Sequence, residues 1–241
     1  MFVRNQREEP KMKAKKLLLP LLMIGALSAQ AVKFEAVPIN HVYSPKGYNS
    51  NDDVEVVVEG VLPNLCYKNV KSEVRIDGKD VIIDIKAQKN NNPNVACAEM
   101  VVPFLKGAKV GLLDKGWYRV MINGEQRSDL HVEEFDSNGL EDEILANVEV
   151  VEVEEGSRII KLKGQNASDC LVQDRIDVES NNKDAYSIKP QMKQVSDFCP
   201  MKMVPFELEM IVPDEIEKEK ILLHVRSLEG KSINKLFKNN L

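Results

Sequence analysis

One pattern that contains two cysteines occurs twice in this chain of 241 residues, and it constrains the fold more than any other feature. The first copy runs from Gly60 to Cys66 and from Cys97 to Pro103-Phe104, and the second from Gly164 to Cys170 and from Cys199 to Pro205-Phe206. The step from glycine to cysteine is six residues in both copies, and so is the step from cysteine to proline. Chance rarely preserves several spacings together, so we interpret the pattern as an internal duplication.

The duplication also bears on the cysteine pairing. Four cysteines permit three pairings, and a repeat favours one bridge inside each copy, Cys66–Cys97 and Cys170–Cys199. Each bridge closes a loop of about 30 residues, which contributes about 3–4 kcal/mol in the chain-entropy model. The alternative is a metal site of four thiolates, but such sites use cysteine pairs only two to four residues apart. We therefore expect two disulfides, no bound metal and no free thiol.

The N-terminus has the three parts of a signal peptide. Lys11 to Lys16 is basic, Leu17 to Leu27 is apolar, and Ala29-Gln30-Ala31 is a small-residue cleavage site. The apolar run is too short to span a bilayer of about 30 Å. We expect residues 1–31 to be removed, with translation starting at Met1 or Met12, and no membrane span in the mature protein. An exported chain in the periplasm or outside the cell meets conditions in which disulfides persist.

Charge argues against two classes of partner. Six of the 33 basic residues and two of the 38 acidic residues lie in 1–31, so the mature chain has a net charge of −9. Such a chain has no general electrostatic attraction to nucleic acid or to anionic lipid. We expect a protein or another envelope component as partner, and no nucleic acid.

The mature chain divides into two regions of strand-like sequence. We predict a first domain at 32–134, a solvated linker at 135–145 that keeps the domains apart, and a second domain at 146–241. Val54 to Glu59 alternates with a period of two, and Asn123-Gly124 between two such runs is typical of a hairpin turn. Pro213 to Leu223 fits either a helix or a charged loop, and we favour a strand from Ile221 onward. The predicted fold is all-β, two tandem antiparallel β-sandwiches.

A short motif indicates which kind of sandwich. Asp114, Gly116 and Tyr118 form an Asp-x-Gly-x-Tyr run that resembles the tyrosine corner of immunoglobulin-like domains, where the tyrosine hydroxyl bonds upstream backbone. Antibody-type domains place a cysteine two residues after that tyrosine, and Val120 stands there instead. The second copy has no matching tyrosine, and Leu222 or Leu223 stands near that place.

With its glycine, cysteine and Pro-Phe landmarks, the chain is similar to uncharacterised secreted bacterial proteins with tandem two-cysteine immunoglobulin-like domains. The first copy carries all the landmarks, including Asn123-Gly124, and the second copy keeps only the glycine, the cysteines and Pro205-Phe206. The resemblance covers about 80% of the mature chain. It implies the fold and the export, and it implies no defined activity or cofactor.

Recognisable catalytic motifs are missing from the sequence. His41, His131 and His224 each lie in or beside a strand pattern and in no known motif, so we interpret them as structural. There is no nucleophile elbow, no phosphate-binding glycine loop and no His-Glu-x-x-His zinc motif. Asp136-Ser137-Asn138-Gly139 resembles part of a calcium loop but lacks the full ligand register. We expect no enzyme activity, no cofactor and no metal.

Two regions are candidates for binding. Trp117, the single tryptophan, should point away from Tyr118, either onto a binding face or against a neighbouring strand. Asn90, Asn91 and Asn92 lie in a polar loop of the kind that forms the tip of a sandwich. We expect a non-catalytic binding, adhesion or scaffold protein that acts through loops or sheet edges. The alternatives are a protease inhibitor that uses the loop Asn90–Val95 and a hydrolase with a carboxylate pair.

Overall fold

The computed structural model describes residues 33–92, 94–135, 144–154 and 156–239. These ranges contain strands and one short 3-10 helix, Leu228–Gly230, and no α-helix. The strands are β1 Lys33–Ala36, β2 Ile39–Tyr43, β3 Tyr48–Asn49, β4 Val54–Leu62, β5 Tyr67–Asp77, β6 Asp80–Lys89, β7 Val102–Gly111, β8 Gly116–Ile122, β9 Glu125–Glu133, β10 Val148–Val153, β11 Ile159–Asn166, β12 Leu171–Ser180, β13 Ala185–Gln194, β14 Val204–Ile211, β15 Lys220–Ser227 and β16 Lys231–Lys238. The predicted signal peptide and the residues that resemble a calcium loop lie outside the described residues, as does most of the predicted linker.

Strands β1 to β9 form what we call the first sandwich. One sheet has the order β2-β4-β7. The other has the order β1-β6-β8-β9-β3, and β5 also pairs with β6. The inward side chains of β4, β6 and β8 are fully buried between the sheets, as at Val56, Ile83 and Val120. This alternation is the period of two that the sequence displays.

Strands β10 to β16 form the second sandwich, with sheets β10-β11-β14 and β12-β13-β15-β16. These orders match β2-β4-β7 and β5-β6-β8-β9 strand for strand. Ile160, Ile188 and Leu223 fill its core. Residues 213–219 form no helix, and β15 begins at Lys220, as the strand interpretation of this segment predicts. The all-β sandwich fold is confirmed.

The larger sheet of each sandwich is mixed and not wholly antiparallel. β6 pairs with β8 in parallel, and β13 pairs with β15 in the same way. In each case the intervening strand, β7 or β14, belongs to the opposite sheet. The chain therefore crosses over and returns in its original direction, which is the connection that a parallel pair requires.

The repeated glycine and Pro-Phe landmarks have one packing explanation. Gly60 lies directly opposite Phe104 in the β4–β7 pair, and Gly164 lies opposite Phe206 in the β11–β14 pair. A Cβ atom on Gly60 would lie 2.5 Å from the Phe104 ring, and one on Gly164 would lie 2.9 Å from the Phe206 ring. Each glycine leaves the space that its cross-strand aromatic ring occupies.

The cysteines pair within each sandwich, as the repeat predicts. Cys66 bonds Cys97, and Cys170 bonds Cys199. Each bridge ties the connection before the edge strand, β5 or β12, to the connection that leads into the opposite sheet. No free cysteine occurs in the described part of the chain.

The two sandwiches stack on each other through sheet faces, and the expectation of separated domains is wrong. The outward face of β2-β4-β7, which we call the docking face, carries Tyr43 and Val57. These side chains pack against Ala185 and Leu222 on the outward face of β13 and β15, and all four are buried. Residues 32–241 accordingly form one compact unit.

Candidate binding site at the junction of the sandwiches

The docking face contains charged groups that the stacking buries. Glu55 extends from β4 over Gly107 and accepts hydrogen bonds from the second sandwich, from Asn234 at 3.2 Å and from the Ser232 hydroxyl. Any side chain at position 107 would collide with Glu55, because a Cβ there would lie 1.6 Å from its carboxylate oxygen. A buried carboxylate is tolerated when hydrogen bonds satisfy it. These contacts therefore fix the register of the two sandwiches.

A buried tyrosine and a buried histidine meet beside Glu55. The Tyr48 hydroxyl lies 2.8 Å from His224 Nε2, and His224 Nδ1 lies 2.8 Å from the side-chain oxygen of Asn234. Burial lowers the pKa of His224, while the hydrogen bond with Asn234 and the negative charge of Glu55 act in the opposite direction and do not cancel the effect. The imidazole is therefore neutral at pH 7, and it lies between Tyr48 of the first sandwich and Asn234 of the second.

Ion pairs surround this buried centre. The Lys220 ammonium contacts Glu59 at 2.5 Å, and Tyr43 donates to the same carboxylate at 3.0 Å. Arg226 pairs with Asp52 and donates to the backbone oxygen of Gly47 at 2.9 Å. The Lys220 side chain stays 46% exposed, whereas Arg226 and Asp52 are both mostly buried, so only the second pair is withdrawn from solvent on both sides.

An open cleft of about 620 Å³ lies where the edges of the sandwiches meet. The first sandwich contributes residues 44–46, Trp117 and residues 126–131. The turn between β12 and β13 contributes Asn181, Lys183 and Asp184. We call this the junction cleft. Its volume falls in the range of small-ligand sites, about 300–1,000 Å³.

Trp117 is the aromatic wall of the junction cleft. It pairs across the β8–β9 ladder with His131, and the two rings lie 4.5 Å apart at a tilt of 32°. The side chain nevertheless remains 63% exposed. Because side chains alternate along β8, it points away from the buried Tyr118, as the sequence predicts. The indole is therefore supported from one side and available to a ligand.

A histidine and a carboxylate join the two sandwiches at the side of the cleft. His41 Nε2 lies 2.7 Å from Asp184, and the Asn181 amide donates to the other carboxylate oxygen at 2.9 Å. Burial would raise the pKa of Asp184, but the hydrogen bonds from His41 and Asn181 outweigh it and lower the pKa. Asp184 therefore remains ionised, and its oxygens are already occupied.

A nearby serine does not complete a catalytic triad. Ser44 lies close in sequence to His41, but its hydroxyl donates to Ser128 at 2.9 Å. Among the residues that the structure describes, no hydrogen bond joins Ser44 to His41, and no three or more metal-ligating side chains converge. Nucleophilic attack requires the serine and its base within hydrogen-bond reach, so Ser44 and His41 do not form a nucleophile–base pair in this structure.

The second predicted binding region, Asn90 to Asn92, lies elsewhere. It follows the end of β6, whereas Trp117 lies beside the beginning of that strand, because β6 pairs with β8 through Asp80 and Arg119. The Asn90 side chain accepts from the Asn92 backbone at 3.0 Å, so the loop is held by its own amides. The two predicted regions are thus at opposite ends of one sheet and cannot form one site.

The predicted tyrosine corner has the expected geometry. Tyr118 donates to the backbone oxygen of Asp114 at 2.8 Å, and Gly116 has a φ of 132°, which favours glycine. In the second sandwich the parallel register aligns Leu223 with Val120, so Ile221, and not Leu222 or Leu223, takes the place of Tyr118. There Tyr186 of the neighbouring strand closes the corner instead and accepts from the Ile216 backbone at 3.2 Å.

Sequence reasoning missed most of the cleft. Lys46, Arg127, Asp129, Asn181 and Lys183 belong to no motif, and they come from segments far apart in the sequence. Of the residues that line the cleft, only Trp117 was predicted as a binding residue from the sequence, because it is the single tryptophan and lies in a strand pattern.

The comparisons with known proteins agree with the fold. A family model described as the ORF11 beta-sandwich domain matches residues 56–132, from β4 to β9 of the first sandwich and less than half of the chain. No curated protein matches the chain. No solved structure matches it either. In the described residues no helix is long and apolar enough to cross a membrane.

Proposed function

We propose that this is an exported, non-catalytic binding protein that holds an envelope component in the junction cleft. The observation that carries the proposal is Trp117, an indole supported by His131 and yet 63% exposed in a cleft that both sandwiches build. Exposed aromatic side chains held in place are typical of binding hot spots.

Burial and charge support binding over catalysis. The hydrolase alternative needs one carboxyl group that is protonated near neutral pH. Asp184 has the opposite property, because its hydrogen bonds to His41 and Asn181 lower its pKa. Asp129 accepts a hydrogen bond from Gln126 at 3.2 Å and has no acidic partner in an ion pair or hydrogen bond among the described residues.

The proposed location and origin rest on the sequence. Residues 1–31 have the composition of a signal peptide, and two disulfides suit an oxidising compartment. We propose that the two sandwiches arose by duplication of one two-cysteine, immunoglobulin-like unit, as in the secreted bacterial proteins that the sequence resembles. The strand orders that the two sandwiches share, which exclude only β1 and β3, support this proposal.

The experiment is photo-crosslinking in the native envelope. A photoreactive phenylalanine analogue replaces Gln126 in the cleft or, as the matched control, Lys202, which lies beside the second disulfide. We expect a defined adduct from position 126 only, and its loss in the additional variant Trp117→Ala. Equal adducts from both positions, or an adduct that persists without the indole, would refute the proposed site.

A further inference from the structure

We propose that the ligand of the junction cleft is an acidic carbohydrate, a sugar ring that carries a carboxylate. This inference rests on the proposed binding function and specifies its ligand class. Three features carry it: a supported aromatic surface, two cations without ion pairs, and a rim of neutral hydrogen-bonding side chains.

The aromatic surface suits a sugar ring. One face of a pyranose exposes C–H bonds and is apolar, while its hydroxyl groups project from the edge. Such a ring can lie on the Trp117 indole and bury apolar surface without leaving a hydroxyl group unpaired. The support from His131, at 4.5 Å, holds the indole in one orientation before the ligand arrives.

The charges of the cleft favour an anion. Lys46 comes from the first sandwich and Lys183 from the second, and neither forms an ion pair among the residues that the structure describes. The acidic residues differ, because His41 and Asn181 already bind Asp184, and Gln126 binds Asp129. A ligand carboxylate would therefore find, among the described residues, an unpaired ammonium group at Lys46, a second one at Lys183 whose charge acts on Asp184 without an ion pair, and acids that already have hydrogen-bond partners.

The rim supplies partners for hydroxyl groups. Gln126, Ser128 and Asn181 line the cleft with groups that both donate and accept hydrogen bonds. The cleft is also concave, and its volume of about 620 Å³ suits a short saccharide. A stable protein interface buries about 800 Å² on each partner, whereas concave clefts of this volume are typical of small-ligand sites, so these observations favour a saccharide over a protein.

The single tryptophan makes the test direct, because all indole fluorescence comes from the cleft. The mature protein is titrated with oligogalacturonate and with the neutral galactose oligosaccharide of equal length. We expect a saturable fluorescence change with the acidic sugar and at least about tenfold weaker binding of the neutral one, which is the size of one charge-assisted hydrogen bond.

Variants separate the charge from the aromatic contribution. Lys46→Met and Lys183→Met should each weaken the acidic sugar about tenfold and change the neutral sugar less than about twofold, whereas Lys202→Met should change neither. Trp117→Ala, followed by calorimetry, should weaken both. Equal affinity for acidic and neutral sugars, or lysine variants without effect, would overturn the inference.

The outcomes also separate this inference from the proposed function. If neither sugar changes the fluorescence while position 126 crosslinks to a polypeptide in a Trp117-dependent manner, the carbohydrate inference fails and the binding function stands. If neither the sugars nor the crosslinker detects a ligand in the cleft, both fail.

Discussion

Strands β4 and β11 occupy the same place in their sandwiches, but their outward faces differ. Glu55, Val57 and Glu59 of β4 are all buried by the second sandwich. The equivalent face of β11 carries Lys161 and Lys163, which no second sandwich of the described chain covers and which stay partly exposed. There they pair with carboxylates of the neighbouring strands, namely Glu152, Glu154, Glu207 and Glu209.

The difference teaches how two similar units form a pair and not a longer array. When Gly60 is aligned with Gly164, Val57 and Lys161 occupy equivalent positions in the two sandwiches. An apolar side chain in the middle of the face permits stacking, and a lysine there keeps the face in water. The charged face of β10-β11-β14 therefore resembles the polar end that a repeat protein needs.

The largest difference between the two faces should appear when Val57 and Lys161 are each replaced by the residue found at the equivalent position of the other sandwich. Val57→Lys buries an ammonium group among Tyr43, Ala185 and Leu222, and should cost about 3–5 kcal/mol in the free energy of unfolding. Lys161→Val on the solvent face should change it by less than about 0.5 kcal/mol. Urea denaturation measures both values. Similar effects of the two substitutions would contradict the assignment of a buried and an exposed face.

The shared glycines test what the sandwiches have in common. Gly60→Ala places a Cβ 2.5 Å from Phe104 and from the backbone oxygen of Pro38, and Gly164→Ala places one 2.0 Å from the backbone oxygen of Asn147. Backbone atoms cannot move aside, so each substitution should cost about 1–3 kcal/mol. Thermal unfolding of the two variants measures this. If only one of them is destabilised, the common packing explanation is wrong.

The two corners should respond differently to loss of a hydroxyl group. Tyr118→Phe frees the carbonyl oxygen of the exposed Asp114, which water can bind, so we expect a loss of about 0.5–1 kcal/mol. Tyr186→Phe leaves the N–H group of the buried Ile216 without its partner and should cost about 1–3 kcal/mol. Denaturation curves of the two variants provide the comparison, and a larger effect at Tyr118 would reverse it.

The smallest expected effect is a dependence of the free energy of unfolding on pH, which arises from His224 at the docked face. Burial lowers the pKa of His224 in the folded chain, so below about pH 6.5 the unfolded chain binds the extra proton and stability falls. The groups around this imidazole are Tyr48, Glu55, Asn234 and Arg226. Between pH 6.5 and pH 5.5 the loss is at most about 1.4 kcal/mol.

Two variants test this assignment. His224→Gln should remove most of the loss, and His131→Gln, at a partly exposed position of the β8–β9 ladder, should retain it. Asp184, whose pKa is also lowered, contributes stability that is lost only in more acidic solution, so its effect does not overlap. A free energy of unfolding that stays constant between pH 7.5 and pH 5.5 would contradict the role of His224.

Much of each sandwich could be predicted from local sequence. The cysteine pairing followed from spacing, the β8–β9 hairpin from Asn123-Gly124, and the direction of Trp117 from alternation along a strand. These features depend on residues that are near in sequence or on repeated intervals.

The stacking and the junction cleft could not be predicted in this way. Glu55 and Glu59 look like the solvent face of an alternating strand, and only contacts with β15 and β16 make them buried. Such contacts depend on which faces meet, and periodicity within one strand carries no information about that. The cleft has the same origin, because Lys46 and Lys183 meet only after docking.

The hydrogen bond between Glu55 and Asn234 joins residues 179 positions apart, near the two ends of the described chain. The strands that cover the docking face, β13, β15 and β16, all come later in the chain than the strands of that face. Until these strands are synthesised, Tyr43 and Val57 remain in water, and the incomplete molecule exposes an apolar surface that can associate with other chains. The order in which the strands are synthesised therefore sets the period during which the unfinished chain is prone to aggregation.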